Sequence, residues 1–436
     1  MPEIQAAIEH PERRQLNDEV HARPPDNLPT PCALTYVARM PKETRKSPQG
    51  VATAMLEDLL RRYETDVPPA DVKHYTATLD GGVRMRWERH TEYSRYTFVS
   101  ATEPLDSIPA AADVSLPADW LGQMRGEILV GVHAAVVEID NWQDDVDALS
   151  RRYFDGNTLI GSIVADGRAA ALTDLRIGPD GFSRLLLIND GMPEPQAGRF
   201  MQRLLEVETY RMMALLALPV AQQLMPALDD VEQELTAIGE ALVDAGAQQE
   251  PELLDRITRL SASTQHSHLR SNYRFAASDA YYEIVLQRIS ELREQRILGL
   301  QTFEEFTTRR LTPAVKTYRA VSKRQQSILE QMARATKLLS TRIDVERQRQ
   351  NQSLLASMNR RVKAQLRLQA TVEGLSVAAV TYYLVGLVGT LAQGVAAMGV
   401  PLHKELVMGA SIPVIAATAY LGIRRLRRKI EAEGSD

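Results

Sequence analysis

The amino-acid sequence predicts an α+β protein. Its expected parts are an N-terminal mixed α/β head with a mainly antiparallel sheet, a long helical stalk and a C-terminal two-helix transmembrane hairpin. Three observations predict this order: short alternating apolar runs before residue 192, a helical periodicity that persists after Pro195, and two uncharged stretches near the C-terminus. With 436 residues, the chain is long enough to bury several hydrophobic cores.

The order of these patterns divides the chain into six predicted segments. They are an N-terminal arm (1–31), an α/β cytosolic head (32–192), a helical domain (193–312), a long stalk helix (313–373), a transmembrane hairpin (374–423) and a basic cytoplasmic tail (424–436).

The arm contains the run LNDEVHARPP, in which Asn17, Glu19, His21 and Arg23 alternate. If this segment is extended, alternate side chains point to the same side, and glutamate with histidine could form a metal or acid–base pair. A zinc site needs three or four ligands, however, so we favour a hydrogen-bonded clamp that holds the arm to the head. Any metal stays undetermined.

In the head, eight short runs predict strands: CALTYVARM, VKHYTATLD, GVRMRWERH, SRYTFVS, EILVGVHAAVVEID, TLIGSIVAD, AAALTDLRI and SRLLLIND. Helical patterns at residues 51–63 and 142–153 interrupt them. The turn signals DGG, ADG and GPDG predict hairpins between the later strands. Cys32 opens the first strand directly after Pro31, so we expect it in the core and not as a nucleophile.

After Pro195, helices are predicted for residues 196–245, bent near Pro219 and Pro226, and for residues 251–311. Pro313 is expected to open the stalk helix. Apolar residues then recur at steps of three and four, which is typical of a coiled-coil seam: Ile328, Met332, Ala335, Leu339 and Ile343, followed by Leu355, Met358, Val362 and Leu366. Asn351 and Asn359 are candidate polar layers that fix the register of this seam.

The membrane end consists of two runs without Asp, Glu, Lys or Arg, 29 residues at 374–402 and 18 residues at 406–423. The short connection between them forces an antiparallel hairpin. Basic residues flank both runs: Arg360, Arg361, Lys363, Arg367, Arg424, Arg425, Arg427 and Arg428. The positive-inside rule therefore predicts a multi-pass protein of the inner (plasma) membrane with both termini in the cytoplasm. In the external loop, His403 and Glu405 could attract cations, although Lys404 between them opposes this.

The first span carries a stripe of small and polar residues at steps of three and four. Its members are Tyr383, Gly386, Thr390 and Gln393, with Gly389 and Gly394 adjacent. Such a stripe either lines a pore or lets another helix approach closely, and we favour packing. The basic residues before the span would repel divalent cations from a conduit, but they can also contact anionic head groups, which we favour.

Composition excludes other classes of function. The net charge of −5 argues against a nucleic-acid partner, because phosphate binding requires basic excess. The single cysteine cannot form an internal disulfide, and the start MPEIQAAIEHPERRQ lacks the apolar core of a signal peptide. The motifs G-x-x-x-x-G-K-[ST], G-x-G-x-x-G after a strand, H-E-x-x-H and G-x-S-x-G are absent from the sequence. We therefore expect no enzyme activity and no cofactor.

The LNDEVHARPP arm and the run LQATVEGLSVAAVTYY resemble an uncharacterised bacterial family of predicted membrane-anchored proteins, classed as a domain of unknown function. The resemblance covers nearly the whole chain. It implies a membrane anchor and brings no settled activity.

The order of parts is also similar to the CorA-type divalent cation channels, which assemble as homopentamers. That family carries a Gly-Met-Asn motif at the outer end of its first span, whereas this region reads YYLVGLVG, without the asparagine. Our first hypothesis is a CorA-like homo-oligomer that conducts or senses ions, with a divalent cation as its partner. The alternative is a non-conducting, membrane-anchored scaffold whose head binds a cytosolic protein. An enzyme held at the bilayer comes last.

Overall fold

The structure, a computed structural model of the chain, describes residues 10–21, 26–41, 48–69, 72–102, 105–108, 116–124, 127–244, 246, 249–398 and 403–433. Its contacts divide the chain into two compact units. The first unit comprises Met1–Val243 and Asp255–Ala335, and the second comprises Asp244–Leu254 and Thr336–Asp436. The six predicted segments are finer than this division and stay a prediction.

A mixed sheet of nine strands, counted over the described residues, forms the centre of the first unit. Its order is β2-β3-β4-β1-β5-β8-β7-β6-β9. The strands are β1 (Cys32–Arg39), β2 (His74–Thr78), β3 (Arg84–Arg89), β4 (Ser94–Ala101), β5 (Ile128–Val137), β6 (Ile160–Val164), β7 (Ala169–Thr173), β8 (Ser183–Asn189) and β9 (Gln295–Arg296). Only β5 and β8 pair in parallel, which confirms the predicted mainly antiparallel sheet.

The three predicted turns are confirmed, and each has at least one glycine at positive φ. The DGG turn joins β2 to β3 with Gly81 and Gly82 at positive φ. The ADG turn joins β6 to β7, and the GPDG turn joins β7 to β8 with Gly181 at φ +86°. Glycine adopts this left-handed region without steric cost, so these local signals can be recognised from sequence alone.

The short helices α2 (Pro48–Arg62), α3 (Ala118–Gln123) and α4 (Val146–Tyr153) pack against the same sheet. The indole of Trp120 meets the ring of Tyr96 edge-on at 5.1 Å, and its Nε1 donates to the backbone oxygen of Met55 at 3.2 Å. Because neighbouring residues of a strand point to opposite faces, Arg95 lies on the other face from Tyr96. That second face carries charged residues.

The second face is covered by α5 (Glu194–Leu215), which is followed by α6 (Ala217–Asp244) and α7 (Glu250–Leu292). The predicted bend occurs at Leu216, because the ring of Pro219 clashes with the carbonyl of Leu215 four residues earlier. Pro226 stays inside α6. The predicted helix over 251–311 is confirmed up to Leu292, where α7 ends, but it is not continuous, because β9 follows it.

The stalk helix, α8 (Phe303–Ala397), is an unbroken helix of 95 residues. Its predicted start at Pro313 is wrong, because Pro313 lies inside the helix. The carboxylate of Glu294 accepts the backbone N–H groups of Phe303 and Glu304 at 2.8 and 3.0 Å, and it also accepts the hydroxyl of Ser162. Thr302 is the N-cap, since its Oγ1 accepts the N–H of Glu305 at 3.1 Å and the carboxylate of Glu305 accepts the N–H of Thr302 at 3.2 Å. Glu294 supports this cap, and a proline is not needed to start the helix. The last helix is α9 (Lys404–Glu433).

The condition for the predicted alternation, an extended arm, is not met at Arg13–His21, which forms a helix, α1. The segment RRQLNDEVH contains good helix formers and neither proline nor glycine. The side chains of Glu19 and His21, and all of Arg23, lie outside the described residues, whereas Asn17 is exposed.

Candidate functional site

The two candidate spans pack along one ridge of α8. In residues 373–389, every fourth residue is buried or half-buried while most of its neighbours are exposed: Glu373, Val377, Thr381, Val385 and Gly389. A Cβ on Gly389 would lie 2.6 Å from the sulfur of Met408 in α9. This close approach needs a glycine, and it fixes which face of α8 the second helix covers.

The predicted stripe lies away from this contact. Tyr383 and Thr390 are exposed, and a Cβ on Gly386 would meet nothing within 4 Å. With 3.6 residues per turn, Tyr383 points about 180° from the covered ridge, and Gly386 lies about 90° from it. Gly389 therefore lies in the contact with α9 and not on the predicted stripe. Gly394, in contrast, is exposed like the other residues of the stripe.

The hydroxyl of Thr390 is satisfied by its own helix. It donates towards the backbone oxygens of Leu387 at 2.8 Å and Gly386 at 3.2 Å. Gln393 contacts the loop end of α9, because the Nζ of Lys404 donates to its Oε1 at 3.3 Å. His403 and Glu405 are exposed on either side of that lysine. No group of three or more His, Cys, Asp or Glu side chains that could hold a metal ion occurs among the described residues.

The burial of the predicted coiled-coil seam decreases along α8. Ile328, Met332 and Leu339 are fully buried, whereas Leu355 and Met358 are each more than 60% exposed. The apolar residues of the second stretch thus have no cover within one chain in the part that the structure describes. Such an uncovered face is unusual in a soluble protein.

The basic residues before the span are exposed. Arg342 lies 3.8 Å from the carboxylate of Glu250 and Arg349 lies 4.0 Å from that of Glu346. Exposed side chains nearer the span and on the returning α9 are Arg360, Arg361, Lys363, Arg367, Arg424 and Arg425. The side chains of Arg427 and Arg428 lie outside the described residues.

In the first unit, a buried network of charges was not predicted as a site. Glu88 of β3 accepts the Nε of Arg86 at 3.0 Å and the Nε of Arg95 of β4. Arg95 lies 3.6 Å from Glu206 of α5, whose other oxygen accepts the Nε of Arg288 of α7 at 2.6 Å. Four of these five side chains are at least 90% buried. This network ties the sheet to both helices.

Further ion pairs extend the network at each end. Asp26 lies 3.6 Å from Arg86, and Glu291 pairs with Arg288 at 3.0 Å and with Arg203 at 3.1 Å. Within this chain of contacts, four acids meet four arginines, so its charges balance.

The arginines determine the protonation of Glu88. Burial by itself would raise the pKa of its carboxyl, but the neighbouring His90 ring, whose Nε2 lies 3.8 Å away, and the charges of Arg95 and Arg86 outweigh burial and hold this pKa well below 4.5. Glu88 is therefore a carboxylate at neutral pH.

A small cavity of about 30 Å³ lies beside this network, with room for one or two water molecules. Tyr36, Arg86, Arg95 and Thr97 line it, and Asp26 closes it from the N-terminal side. Because the cavity is too small for a metabolite and the charges are already paired, we interpret the network as structural. The alternation of Arg84, Arg86 and Glu88 in β3 was its one sequence signal, and it equally indicates a solvated strand face.

Three helices among the described residues are long and apolar enough to cross a membrane, namely Glu194–Val243, Phe303–Ala397 and Lys404–Arg425. The sequence predicted the last two. The first was not predicted, and it is the least apolar and the most buried of the three. Since Arg203 and Glu206 on it belong to the charge network, it forms part of the first unit's fold.

The fold and the candidate site define a class of protein. It combines an α+β unit with a long helix, α8, whose last part packs against α9, and both of these segments are apolar enough to cross a membrane. The family described as "Protein of unknown function (DUF3422)" matches residues 8–430, nearly the whole chain. The chain belongs to this family. A comparison with curated proteins found no match.

Proposed function

We propose that the protein is anchored in the inner (plasma) membrane by α8 and α9, with both termini in the cytoplasm, and that it assembles there as a homo-oligomer. The observation that carries this proposal is the division of α8 into two sides. One ridge is covered by α9, while the side with Tyr383, Gly386 and Thr390 is uncovered. A small-residue surface of this kind allows a second membrane helix to approach closely.

The contacts of α9 support a definite position in the bilayer. Lys404 contacts Gln393 at one end, and Ile423 lines a groove with Val372 and Ser376 at the other. The stretch of α8 between Glu373 and Gln393 is about 30 Å long at 1.5 Å per residue. This length matches the hydrocarbon core, so the surplus of the 29-residue run extends beyond Gln393 towards the external loop.

The uncovered side supports packing over conduction. Thr390 bonds to its own helix, so its hydroxyl does not need water. The exposed seam at Leu355 and Met358 supplies a further surface for assembly on the cytoplasmic side. We therefore propose a non-enzymatic oligomeric anchor that presents its head to a cytosolic protein partner.

Passage of ions along the oligomer axis is the second candidate. The uncharged polar side chains of Tyr383 and Thr390 on the uncovered side favour it. Lys404 at the outer end and the arginines at the inner end would disfavour cations such as Mg²⁺.

The test is to purify the full chain in nanodiscs and to determine its protein mass by light scattering. We expect a discrete oligomer, and we expect Gly386→Leu to reduce the mass because a bulky side chain separates the helices. The matched control is Gly409→Leu, at a glycine of α9 that also has open space around it. A monomer in wild type, or an unchanged mass in Gly386→Leu, contradicts the proposal.

The same preparations separate the two candidate functions. Reconstituted protein is assayed for flux of Mg²⁺ and other divalent cations, with Thr390→Leu as the comparison. An oligomer without flux supports the anchor. Flux that Thr390→Leu reduces supports the channel.

A further inference from the structure

A groove at the cytoplasmic end of the two spans combines the features of a lipid headgroup site. Ile423 of α9 lies with residues of α8 around a cavity of about 480 Å³. Its lining is completed by Gln365, Leu368, Gln369, Val372, Glu373 and Ser376. All of these residues belong to the second unit, so one chain forms the groove.

The lining of the groove is amphipathic. Leu368, Val372 and Ile423 supply apolar surface, whereas Gln365 and Ser376 supply an amide and a hydroxyl. An acyl chain with a polar head requires this combination, because its glycerol and phosphate need hydrogen bonds where its hydrocarbon ends. A soluble anion would gain no binding energy from the apolar part of this lining.

Basic residues border this groove from both helices. Arg361 lies one turn before Gln365 on the same face of α8, because residues four apart are neighbours on a helix. Arg424 and Arg425 directly follow Ile423 on α9. All three arginines are exposed.

The charge balance selects the kind of lipid. Near the groove, the lining carboxylate of Glu373 accepts from the Nε2 of Gln369 at 3.2 Å. Among the side chains that the structure describes there, this one negative charge stands against Arg360, Arg361, Lys363, Arg367, Arg424 and Arg425. The excess is positive, and basic residues close to a membrane surface attract anionic lipids.

We propose that this groove binds the headgroup of an anionic phospholipid of the cytoplasmic leaflet, with its phosphate beside Arg424 and Arg425 and its glycerol against Ser376. The proposal rests on the membrane position given above, but it does not need the oligomer. The bound lipid would hold the end of α9 against α8. It would thereby fix the stalk helix at the membrane surface.

The experiment is native mass spectrometry of the full chain in mild detergent, with defined lipids added. The probes are phosphatidylglycerol, phosphatidylethanolamine and phosphatidylcholine with identical acyl chains, and soluble glycerol phosphate. We expect phosphatidylglycerol to be retained in preference to the other two lipids, and glycerol phosphate not to be retained. Equal retention of phosphatidylcholine would overturn the proposal, and retention of glycerol phosphate would point to a soluble anion.

The variants Arg424→Gln and Arg425→Gln each remove a basic side chain beside the phosphate, and each is expected to weaken phosphatidylglycerol retention about fivefold. Arg347→Gln is the matched control. It removes an exposed arginine of α8 about 39 Å along the helix from Glu373. Ser376→Leu, which keeps every charge and places a bulky side chain in the groove, is expected to weaken retention as well. If both arginine variants behave like Arg347→Gln, the site does not exist.

Two further measurements distinguish failure of the lipid site from failure of the proposed function. Alkaline extraction of membranes tests the anchor, and light scattering of the same variants tests assembly. A monomeric chain that retains phosphatidylglycerol refutes the oligomer and keeps the lipid site. An oligomer without lipid preference refutes the lipid site and keeps the oligomer.

Discussion

Arg95 of β4 donates its Nε to the carboxylate of Glu88 on the neighbouring strand β3, and both side chains are nearly closed to solvent. Burying two charges costs hydration energy that their attraction must offset. The pair therefore depends on its surroundings, with Arg86 on one side and Glu206 on the other. Removing one member leaves its partners buried with one fewer counter-charge.

We expect Glu88→Gln to lower the free energy of unfolding by about 3–5 kcal/mol, because it leaves Arg86 and Arg95 buried with one fewer counter-charge. The measurement is denaturant unfolding followed by tryptophan fluorescence, since Trp87 and Trp120 lie in the adjacent core. Asp106→Asn is the control. Asp106 pairs with Arg152 but its side chain is almost fully exposed, so no change is expected there.

The same carboxylate gives stability a pH dependence. The pKa of Glu88 is lower in the folded state than its ordinary value of 4.5, so the unfolded chain takes up the proton first as pH falls. Its stabilisation is complete above about pH 4.5 and declines towards the lower folded-state pKa. Unfolding measured between pH 7 and pH 3 should show the gap between wild type and Glu88→Gln narrowing below pH 4.5. A constant gap would contradict this assignment.

Gly198 of α5 allows the segment before β1 to pass over the helix. A Cβ at this position would lie 1.6 Å from the backbone oxygen of Asp26, and the N–H of Leu28 donates to the oxygen of Glu194 nearby at 3.1 Å. Because backbone must move to accept it, Gly198→Ala is expected to destabilise the fold by about 1–3 kcal/mol.

The matched control for Gly198 is Gly239→Ala on α6, where a Cβ would meet nothing within 4 Å. Alanine has a higher helix propensity than glycine, so this variant should be about 0.5–1 kcal/mol more stable than wild type. Thermal unfolding of both variants checks the pair. Equal effects would show that the Asp26 segment does not rest on α5.

Local signals explain which parts of the fold were predictable. The DGG, ADG and GPDG turns need only residues that adopt positive φ, so the hairpins they join followed from sequence. The contact of Glu294 with Ser162 and the first backbone N–H groups of α8 could not be predicted, but the start of α8 has a local signal, the capping box formed by Thr302 and Glu305. Pro313 was mistaken for a helix start, although a proline can also lie inside a long helix.

The candidate site was predictable to a similar extent. Hydropathy alone located both candidate spans, because a run of about twenty uncharged residues can be recognised without knowledge of any tertiary contact. The separate roles of Gly386 and Gly389 could not be predicted, because only packing against Met408 distinguishes them. The charge network could not be predicted either, because Glu206 and Arg288 lie far from Glu88 in sequence and meet it only in the folded chain.

Cys32 offers a probe of the first unit. Burial raises the pKa of its thiol to about 12, and the side chain is fully buried. Since the thiolate is the reactive form, we expect negligible labelling by iodoacetamide at pH 8 in the folded protein and complete labelling after unfolding. Rapid labelling of the native chain would show that β1 opens easily. It would also return Cys32 to consideration as a reactive thiol.

Gly386 and Gly389 should respond differently to the same substitution. Gly389→Leu places a side chain against Met408 and is expected to lower the melting temperature of the purified protein, because it separates α8 from α9. Gly386→Leu should leave the melting temperature of the hairpin nearly unchanged and act on assembly. Met408→Ala combined with Gly389→Leu provides space for the new side chain, so the double variant should recover part of the loss. If Gly389→Leu is no less stable than Gly386→Leu, or if Met408→Ala adds to the loss, the contact between the two helices is not the one described.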